Sequence, residues 1–401
     1  GGVNCSDHEV NIKILLRSVE QQGEMTREER NELLVSMTEE VGRHVCERNR
    51  QQVRALALSR SQAGPMVNVH RRLIKWLEAE ADLDRELEAM PGDDQLARRH
   101  DQDRGLYLPE LSVLLAYHKL SLSRRLLAST LPDTPYARGL LDNYFPKPLR
   151  EPHADAIKNH RLAEEIIATE ASNEINHRGG ITFVFRLHEE TGATPSEIAH
   201  AYFAARDMYG LDGVWDQLEA LAPAVPSTTQ TQMLLESRRL LGRATRWLLR
   251  NQPRPLPIES TIKIFADGLA TLAERLPELT EGDRPVTSQF DPERWRRDGA
   301  PEELVDRLAL SPGLFAGLDI ITVAREAGRD VITVAEIYFD LSRRLSLLDF
   351  WEQVLRLPRD TRWEALARAA LRDDLYRQQR DLTTTIVGRL KDEESIDDAL
   401  E

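Results

Sequence analysis

The chain has 401 residues, and 53 Lys and Arg against 67 Asp and Glu give it a formal net charge of −14. The length is sufficient for two or three domains that each bury a core. Arginines are scattered among acidic residues along helical stretches, so we expect no concentrated positive face. This excludes nucleic acid and anionic membranes as expected partners.

The composition also predicts the fold class and the compartment. Cys5 and Cys46 are the only cysteines and lack a metal or redox spacing, so no disulfide framework is expected. No apolar run has the length that crosses a bilayer. Leu, Ala, Arg and Glu dominate, and these residues favour helices. We therefore expect an all-α, cytoplasmic protein.

The first nine residues, Gly1-Gly2-Val3-Asn4-Cys5-Ser6-Asp7-His8-Glu9, predict a tight turn into a helix. Two glycines permit the turn, and Ser6 followed by Glu9 has the spacing of a capping box. An ordinary cap explains this pattern by itself. The free N–H groups beside a capping serine can also receive a carboxylate ligand.

The next elements follow from apolar residues at helical spacing. The first helix should run to Gly23, and Thr26 with Glu29 forms a second capping box that opens a long helical stretch. That stretch ends at Gly64-Pro65, where another helix begins. Residues 91–105 are predicted to be an exposed connection.

The middle of the chain is predicted from its prolines and glycines. Leu108-Pro109-Glu110 starts a largely buried helix, and four prolines in residues 132–152 indicate a loop or short turns. A long amphipathic helix is expected from Ala154 to Asn176, with a glycine stop at Gly179-Gly180.

The second half of the chain contains a predicted internal duplication of a helical unit, at about 183–250 and 319–390. The segment from Phe183 aligns without a gap with the segment from Asp319. Amphipathic helices resemble one another at Leu and Ala positions, but matching Tyr-Phe pairs and a downstream Trp favour duplication. Such a unit indicates helix packing or subunit contact. The matched pairs are Gly192 and Gly328, Ala199 and Ala335, Tyr202 and Tyr338, Phe203 and Phe339, Leu211 and Leu347, and Trp215 and Trp351.

The opening residues resemble a known family. Gly1-Gly2-Val3, Ser6 and Glu9 match the Gly-Gly-Val-x-x-Ser-x-x-Glu motif of glutamate dehydrogenases, and residues 2–15 resemble the large NAD-specific enzymes of bacteria. Four further stretches are similar to that branch: residues 110–117, 144–149, 176–183 and 244–250. The resemblance covers most of the chain and becomes weaker after about Glu259.

The resemblance implies the C-terminal part of an enzyme that converts L-glutamate, NAD and water to 2-oxoglutarate, ammonium and NADH. It assigns Ser6 to a hydrogen bond with the side-chain carboxylate of glutamate and Val3 to the lining of that pocket. The catalytic lysine and aspartate and the NAD-binding domain are expected upstream of Gly1, so this chain should be inactive alone. Val10 and Ile12 stand where smaller hexameric relatives usually have Trp and Gln, so they receive no role.

The expected organisation is residues 1–62 as the C-terminal end of the substrate side of the catalytic domain, and residues 63–401 as a helical domain. A second boundary near residues 251–257 and assembly into a homo-oligomer are also expected. No catalytic residue and no metal site are predicted within the chain. A nucleophilic Cys5–His8 pair is disfavoured because nothing nearby would orient the imidazole. The alternative is a free-standing helical-repeat scaffold that binds a protein partner.

Overall fold

The computed structural model describes residues 2–281, 291–358 and 360–389. In these residues all regular structure is helical, with 21 α-helices and one π-helical turn and no strand. The all-α prediction is confirmed. Packing divides the chain into two compact units, Gly1–His200 and Ala201–Glu401. The domain limits expected from the sequence stay predictions.

The first unit contains eleven complete α-helices and the π-helical turn Ile175–Gly179, counted over its described residues. A twelfth helix, α12 (Pro195–Met208), runs across the boundary between the units. The eleven are α1 (Gly2–Gln21), α2 (Arg27–Ser36), α3 (Thr38–Ser61), α4 (Val67–Glu80), α5 (Asp93–Asp101), α6 (Leu108–Leu127), α7 (Pro135–Tyr144), α8 (Lys147–Arg150), α9 (Ala154–Lys158), α10 (Ala163–Glu174) and α11 (Phe183–Thr191).

Two apolar clusters hold the first unit together. One joins α4 and α6 through Leu73, Ile74, Leu111 and Leu114. The other joins α1, α7 and α10 through buried residues such as Leu15, Leu141 and Ile166. The second cluster fixes the positions of the three helices that form the candidate site.

Several helix limits differ from the sequence predictions. The stretch after Thr26 is two helices, because α2 ends at Ser36 and α3 begins at Thr38. Residues 91–105 contain α5, whose first-turn aspartates and last-turn arginines match the helix dipole. Residues 132–152 contain α7, where Pro135 occupies the first turn and the Thr134 side chain caps the helix. The helix expected from Ala154 is interrupted between α9 and α10.

One loop contact in the first unit requires a glycine. The loop between α5 and α6 passes so close to the end of α3 that a Cβ at Gly105 would lie 1.9 Å from the carbonyl oxygen of Ala63. No side chain fits at that distance, so the absence of a Cβ at Gly105 permits the approach of the two backbone segments.

The second unit contains the remaining helices, α13 (Leu211–Ala220), α14 (Ser227–Asn251), α15 (Ile258–Leu279), α16 (Pro292–Arg297), α17 (Glu302–Ala309), α18 (Ser311–Ala327), α19 (Val331–Arg344), α20 (Leu347–Arg356) and α21 (Arg362–Arg389). Gly192 and Gly210 have positive φ, and so do Gly328 and Ser346, each 136 residues later. The bounds of α12 and α13 likewise recur 136 residues later as those of α19 and α20. The duplication itself stays a prediction.

Candidate functional site

Ser6 lies inside α1, one turn after its start at Gly2. The prediction that Ser6 caps this helix is therefore wrong. Glu9 does not reach back to it but pairs with Lys13, with Oε1 2.5 Å from Nζ. A cap and a helical glycine each change stability by only about 1 kcal/mol, so neither fixes a helix start. The tertiary hydrogen bond from Asn4 Nδ2 to Asn49 Oδ1, 2.9 Å long, holds this turn against α3.

The exposed side chain of Ser6 lines an open groove of about 440 Å³ between α1, α7 and α10. Its hydroxyl makes no hydrogen bond with any residue that the structure describes. Because that hydroxyl is unused, it can donate to a molecule in the groove. The other lining residues are Asp7, Val10, Asn11, Tyr144, Leu162, Glu165, Ile166, Thr169 and Glu170.

Tyr144, at the end of α7, organises the polar side of this groove. Its hydroxyl accepts a hydrogen bond from Asn11 Nδ2 at 2.8 Å and donates one to Asp7 Oδ2 at 3.0 Å. Asn11 Nδ2 also contacts Asp7 Oδ1 at 3.2 Å. Burial, with the nearby Asp7 carboxylate, raises the pKa of Tyr144 above its ordinary value, so the phenol keeps its proton.

Arg48 on α3 joins two acidic residues of the groove. It donates to Glu170 Oε2 at 2.5 Å, and its other terminal nitrogen is 3.9 Å from Asp7 Oδ2. Burial raises the pKa of Glu170, and Arg48 opposes that shift. Burial also lowers the pKa of Lys119 to about 8, with repulsion from Arg48 as the next cause. Arg48 thus interacts electrostatically with two carboxylates, those of Asp7 and Glu170, and with the ammonium group of Lys119.

The groove itself is acidic. Three carboxylates, Asp7, Glu165 and Glu170, are among its lining residues, and no Lys or Arg is. A ligand with carboxylate groups would be repelled by these residues unless cations approach from another part of the protein. Ser6 alone therefore cannot form a complete carboxylate site.

The structure shows no pairing of Cys5 with His8. The imidazole of His8 is buried and stacks on Tyr144, with ring centroids 4.4 Å apart. Its two nitrogens have no hydrogen-bond partner among the described residues, and Cys5 is exposed. Burial lowers the pKa of His8 to about 3, so the ring is a weak base.

The sequence prediction found Ser6 but missed its surroundings. Arg48 and Glu170 are 122 residues apart in the chain, and no local pattern connects them. Asp7, Asn11 and Tyr144 carried only a general signal, because they lie in stretches that resemble the family. The side chain of Val3 lies outside the described residues, so its role stays a prediction.

Neither a metal site nor a single membrane-spanning helix is found in the described parts of the chain. They hold no group of three or more His, Cys, Asp or Glu residues that could bind a metal ion. No single helix there is long and apolar enough to cross a bilayer, although α17 and α18, bent by 51°, pass that test as a pair.

Comparison with known proteins gives two family matches. A family described as "Glutamate dehydrogenase, C-terminal" matches residues 103–401. A second family, "Bacterial NAD-glutamate dehydrogenase, catalytic domain", matches residues 1–59. The groove residues on α1 thus fall in the second match.

Three curated relatives are each named NAD-specific glutamate dehydrogenase. The chain is 41% identical to that of Halomonas elongata over 388 residues, 40% to that of Pseudomonas aeruginosa over 387 and 37% to that of Mycobacterium tuberculosis over 387. The alignments cover 97%, 96% and 96% of this chain but 24% of each relative. The chain therefore spans about a quarter of the length of the curated relatives it matches.

Proposed function

Because the chain belongs to the glutamate dehydrogenase C-terminal family, in its NAD-specific bacterial branch, we propose that it acts as the C-terminal part of such an enzyme. The reaction would convert L-glutamate, NAD and water to 2-oxoglutarate, ammonium and NADH. This chain would supply one side of the glutamate site together with a helical domain for packing and assembly into a homo-oligomer, in the cytoplasm.

The free hydroxyl of Ser6 is the observation that carries this proposal. It is exposed in a groove, makes no hydrogen bond within the described residues and lies in the stretch that matches the catalytic domain. We propose that it donates a hydrogen bond to the side-chain carboxylate of glutamate and that Val3 lines the same pocket. Because the groove is lined by three carboxylates, the cations that hold the substrate would come from the upstream part of the enzyme.

The described residues do not fit NAD through a dinucleotide-binding fold. That fold is built on a parallel sheet, and the described parts of this chain form no strand. We propose that the upstream domain binds most of NAD. The catalytic lysine and aspartate would also belong to the upstream part of the enzyme.

Replacing Ser6 with Ala in the full-length enzyme tests the substrate role. Loss of a hydrogen bond to a charged group costs about 1.5–3 kcal/mol, so we expect KM for glutamate to rise about tenfold or more. KM for NAD should change less than about twofold, because the substitution removes no hydrogen bond to NAD. Steady-state kinetics with each substrate varied in turn measures both values.

Ser112→Ala is the control, because Ser112 is a half-buried helical serine away from the groove that donates to its own helix, at the carbonyl oxygen of Leu108. It should leave both KM values unchanged. Equal effects of Ser6→Ala on the two substrates, or no effect on either, would contradict the role assigned to Ser6.

A further inference from the structure

A second cavity, of about 590 Å³, lies within the second unit among helices α14, α18 and α21. Its size falls in the range of pockets that bind small molecules. Six arginines and three aspartates line it, an excess of positive charge in a chain whose net charge is −14. The cavity is thus electrostatically unlike the rest of the protein. The arginines are Arg243, Arg246, Arg250, Arg372, Arg377 and Arg380.

The arginines come from two helix faces. Arg243, Arg246 and Arg250 are three and four residues apart on α14, a spacing that places side chains on one face of a helix. Arg377 and Arg380 repeat the three-residue spacing on α21. Two regular helices therefore hold these side chains beside one cavity.

Three of the arginines have counter-ions inside the cavity wall. Arg250 forms an ion pair with Asp373, and Arg372 lies 3.4 Å from the same carboxylate. Arg377 pairs with Asp374 on its own helix. These pairs use two of the three aspartates, so their charges are largely compensated.

The third aspartate, Asp319, faces Arg380. It is buried, its Oδ1 accepts a hydrogen bond from Trp247 Nε1 at 2.9 Å, and the same oxygen is 3.4 Å from a terminal nitrogen of Arg380. Burial raises the pKa of Asp319 to about 6. Arg380 takes a second, neutral acceptor, Asn251 Oδ1, at 2.9 Å. The Nε of Arg380 also lies 4.0 Å from Asp381 Oδ1, so two carboxylates compensate its charge.

Arg243 has no such partner. It is partly buried, and it forms no hydrogen bond or ion pair with any residue that the structure describes. At longer range, its charge opposes the rise that burial causes in the pKa of Glu236 and of Tyr376. A guanidinium at the cavity with no carboxylate beside it can take an anion in the cavity as its counter-ion.

Aromatic side chains form the rest of the wall. Phe315 and Tyr376 pack edge to face, with ring centroids 4.9 Å apart, and Trp247 is held by its bond to Asp319. These rings give the cavity an apolar side next to the arginines. Low local polarity strengthens a bond between a guanidinium and an anion.

We propose that this cavity binds a small ligand with two or more oxyanion groups, phosphate or carboxylate, and that Arg243 contacts one of them directly. The planar guanidinium donates paired hydrogen bonds to both kinds of group. The site goes beyond the proposed dehydrogenase role, since none of its residues lines the groove at Ser6.

Calorimetric titration of the purified chain with pyrophosphate and, separately, with citrate at constant ionic strength tests the proposal. We expect saturable binding of one molecule per chain with a dissociation constant below about 1 mM for at least one probe. Binding of pyrophosphate alone identifies phosphate as the ligand group, and binding of citrate alone identifies carboxylate. Binding of both supports the shared oxyanion chemistry.

Arg243→Gln should weaken that binding about tenfold or more, because it removes charge-assisted hydrogen bonds. Arg275→Gln is the matched control, since it removes the same charge in the second unit from α15, where Arg275 pairs with Glu278 outside the cavity. The Arg275→Gln variant should bind the probe as tightly as the unsubstituted chain does. Because Arg243 has no ion pair to lose, the melting temperature of Arg243→Gln without ligand should not fall.

Absence of saturable binding for both probes, or equal weakening by the two variants, would overturn the proposal. If Arg243→Gln does not fold, Arg243→Lys replaces it, because lysine keeps the charge but not the planar fork. That variant should bind several-fold more weakly. Unchanged binding by Arg243→Lys would then overturn the direct contact.

Discussion

At the scale of single residues, Tyr144 connects the candidate site to the fold. Its ring belongs to the apolar cluster that joins α1, α7 and α10, and its hydroxyl binds Asn11 and Asp7 at the groove. The same side chain thus contributes to stability and fixes the polar edge beside Ser6.

Tyr144→Phe should lower the free energy of unfolding by about 1–2 kcal/mol, because the buried amide of Asn11 loses an acceptor and Asp7 loses a donor. Urea unfolding followed by circular dichroism measures the change. Tyr338→Phe is the matched control: the Tyr338 hydroxyl is buried without a partner among the described residues. Removing it should be neutral or stabilising, and an equal loss in both variants would refute the role of the Tyr144 hydroxyl.

The residue scale also shows what a sequence can and cannot predict about the site. Ser6 was found because a short motif carries it, and its hydroxyl is exposed and makes no hydrogen bond within the described residues. Arg48 was not found, because an ion pair to a residue 122 positions away leaves no local pattern. Its partner is determined only by how α3 packs near α10.

At the scale of elements, the close approach of the α5–α6 loop to the end of α3 gives a sharp stability test. Gly105→Ala places a Cβ against the Ala63 carbonyl, a backbone atom that cannot rotate away. The free energy of unfolding should fall by at least about 2 kcal/mol. Thermal and urea unfolding of the chain measure it.

Gly139→Ala is the control in the same unit. Gly139 is exposed inside α7, and a Cβ there would meet nothing within 4 Å. Alanine should stabilise that helix by up to about 1 kcal/mol. The two Gly→Ala substitutions should therefore change the free energy of unfolding in opposite directions. Two changes in the same direction would contradict the described loop contact.

Helix starts were predictable where side chains form local bonds. The Thr26–Glu29 capping box forms as expected, with the Glu29 backbone N–H donating to Thr26 Oγ1 at 3.2 Å. Leu108 likewise begins α6. The start of α1 was not predicted: the helix already begins at Gly2, and Asn4 in its first turn binds Asn49, which is distant in sequence. The prediction of a loop at α7 was wrong, because Pro135 lies in the first turn of this helix, where proline is tolerated.

At the scale of the whole molecule, we expect the isolated chain to show no NAD-dependent oxidation of glutamate. The described residues contain no strand for a dinucleotide-binding sheet, and the groove at Ser6 lacks a lining cation. NADH formation measured by absorbance, with the longer enzyme as the positive control, tests this. Detectable turnover by the chain alone would refute the proposed division of the active site.

Ser346 has a consequence for how the protein can change over evolutionary time. A serine with φ of 50° is strained by about 1–2 kcal/mol, whereas Gly210, in the corresponding place, is not. Proteins generally keep only the stability that selection requires. A lineage that acquires glycine at position 346 would gain a margin of stability, and the second unit could then tolerate a new, destabilising side chain elsewhere in its core.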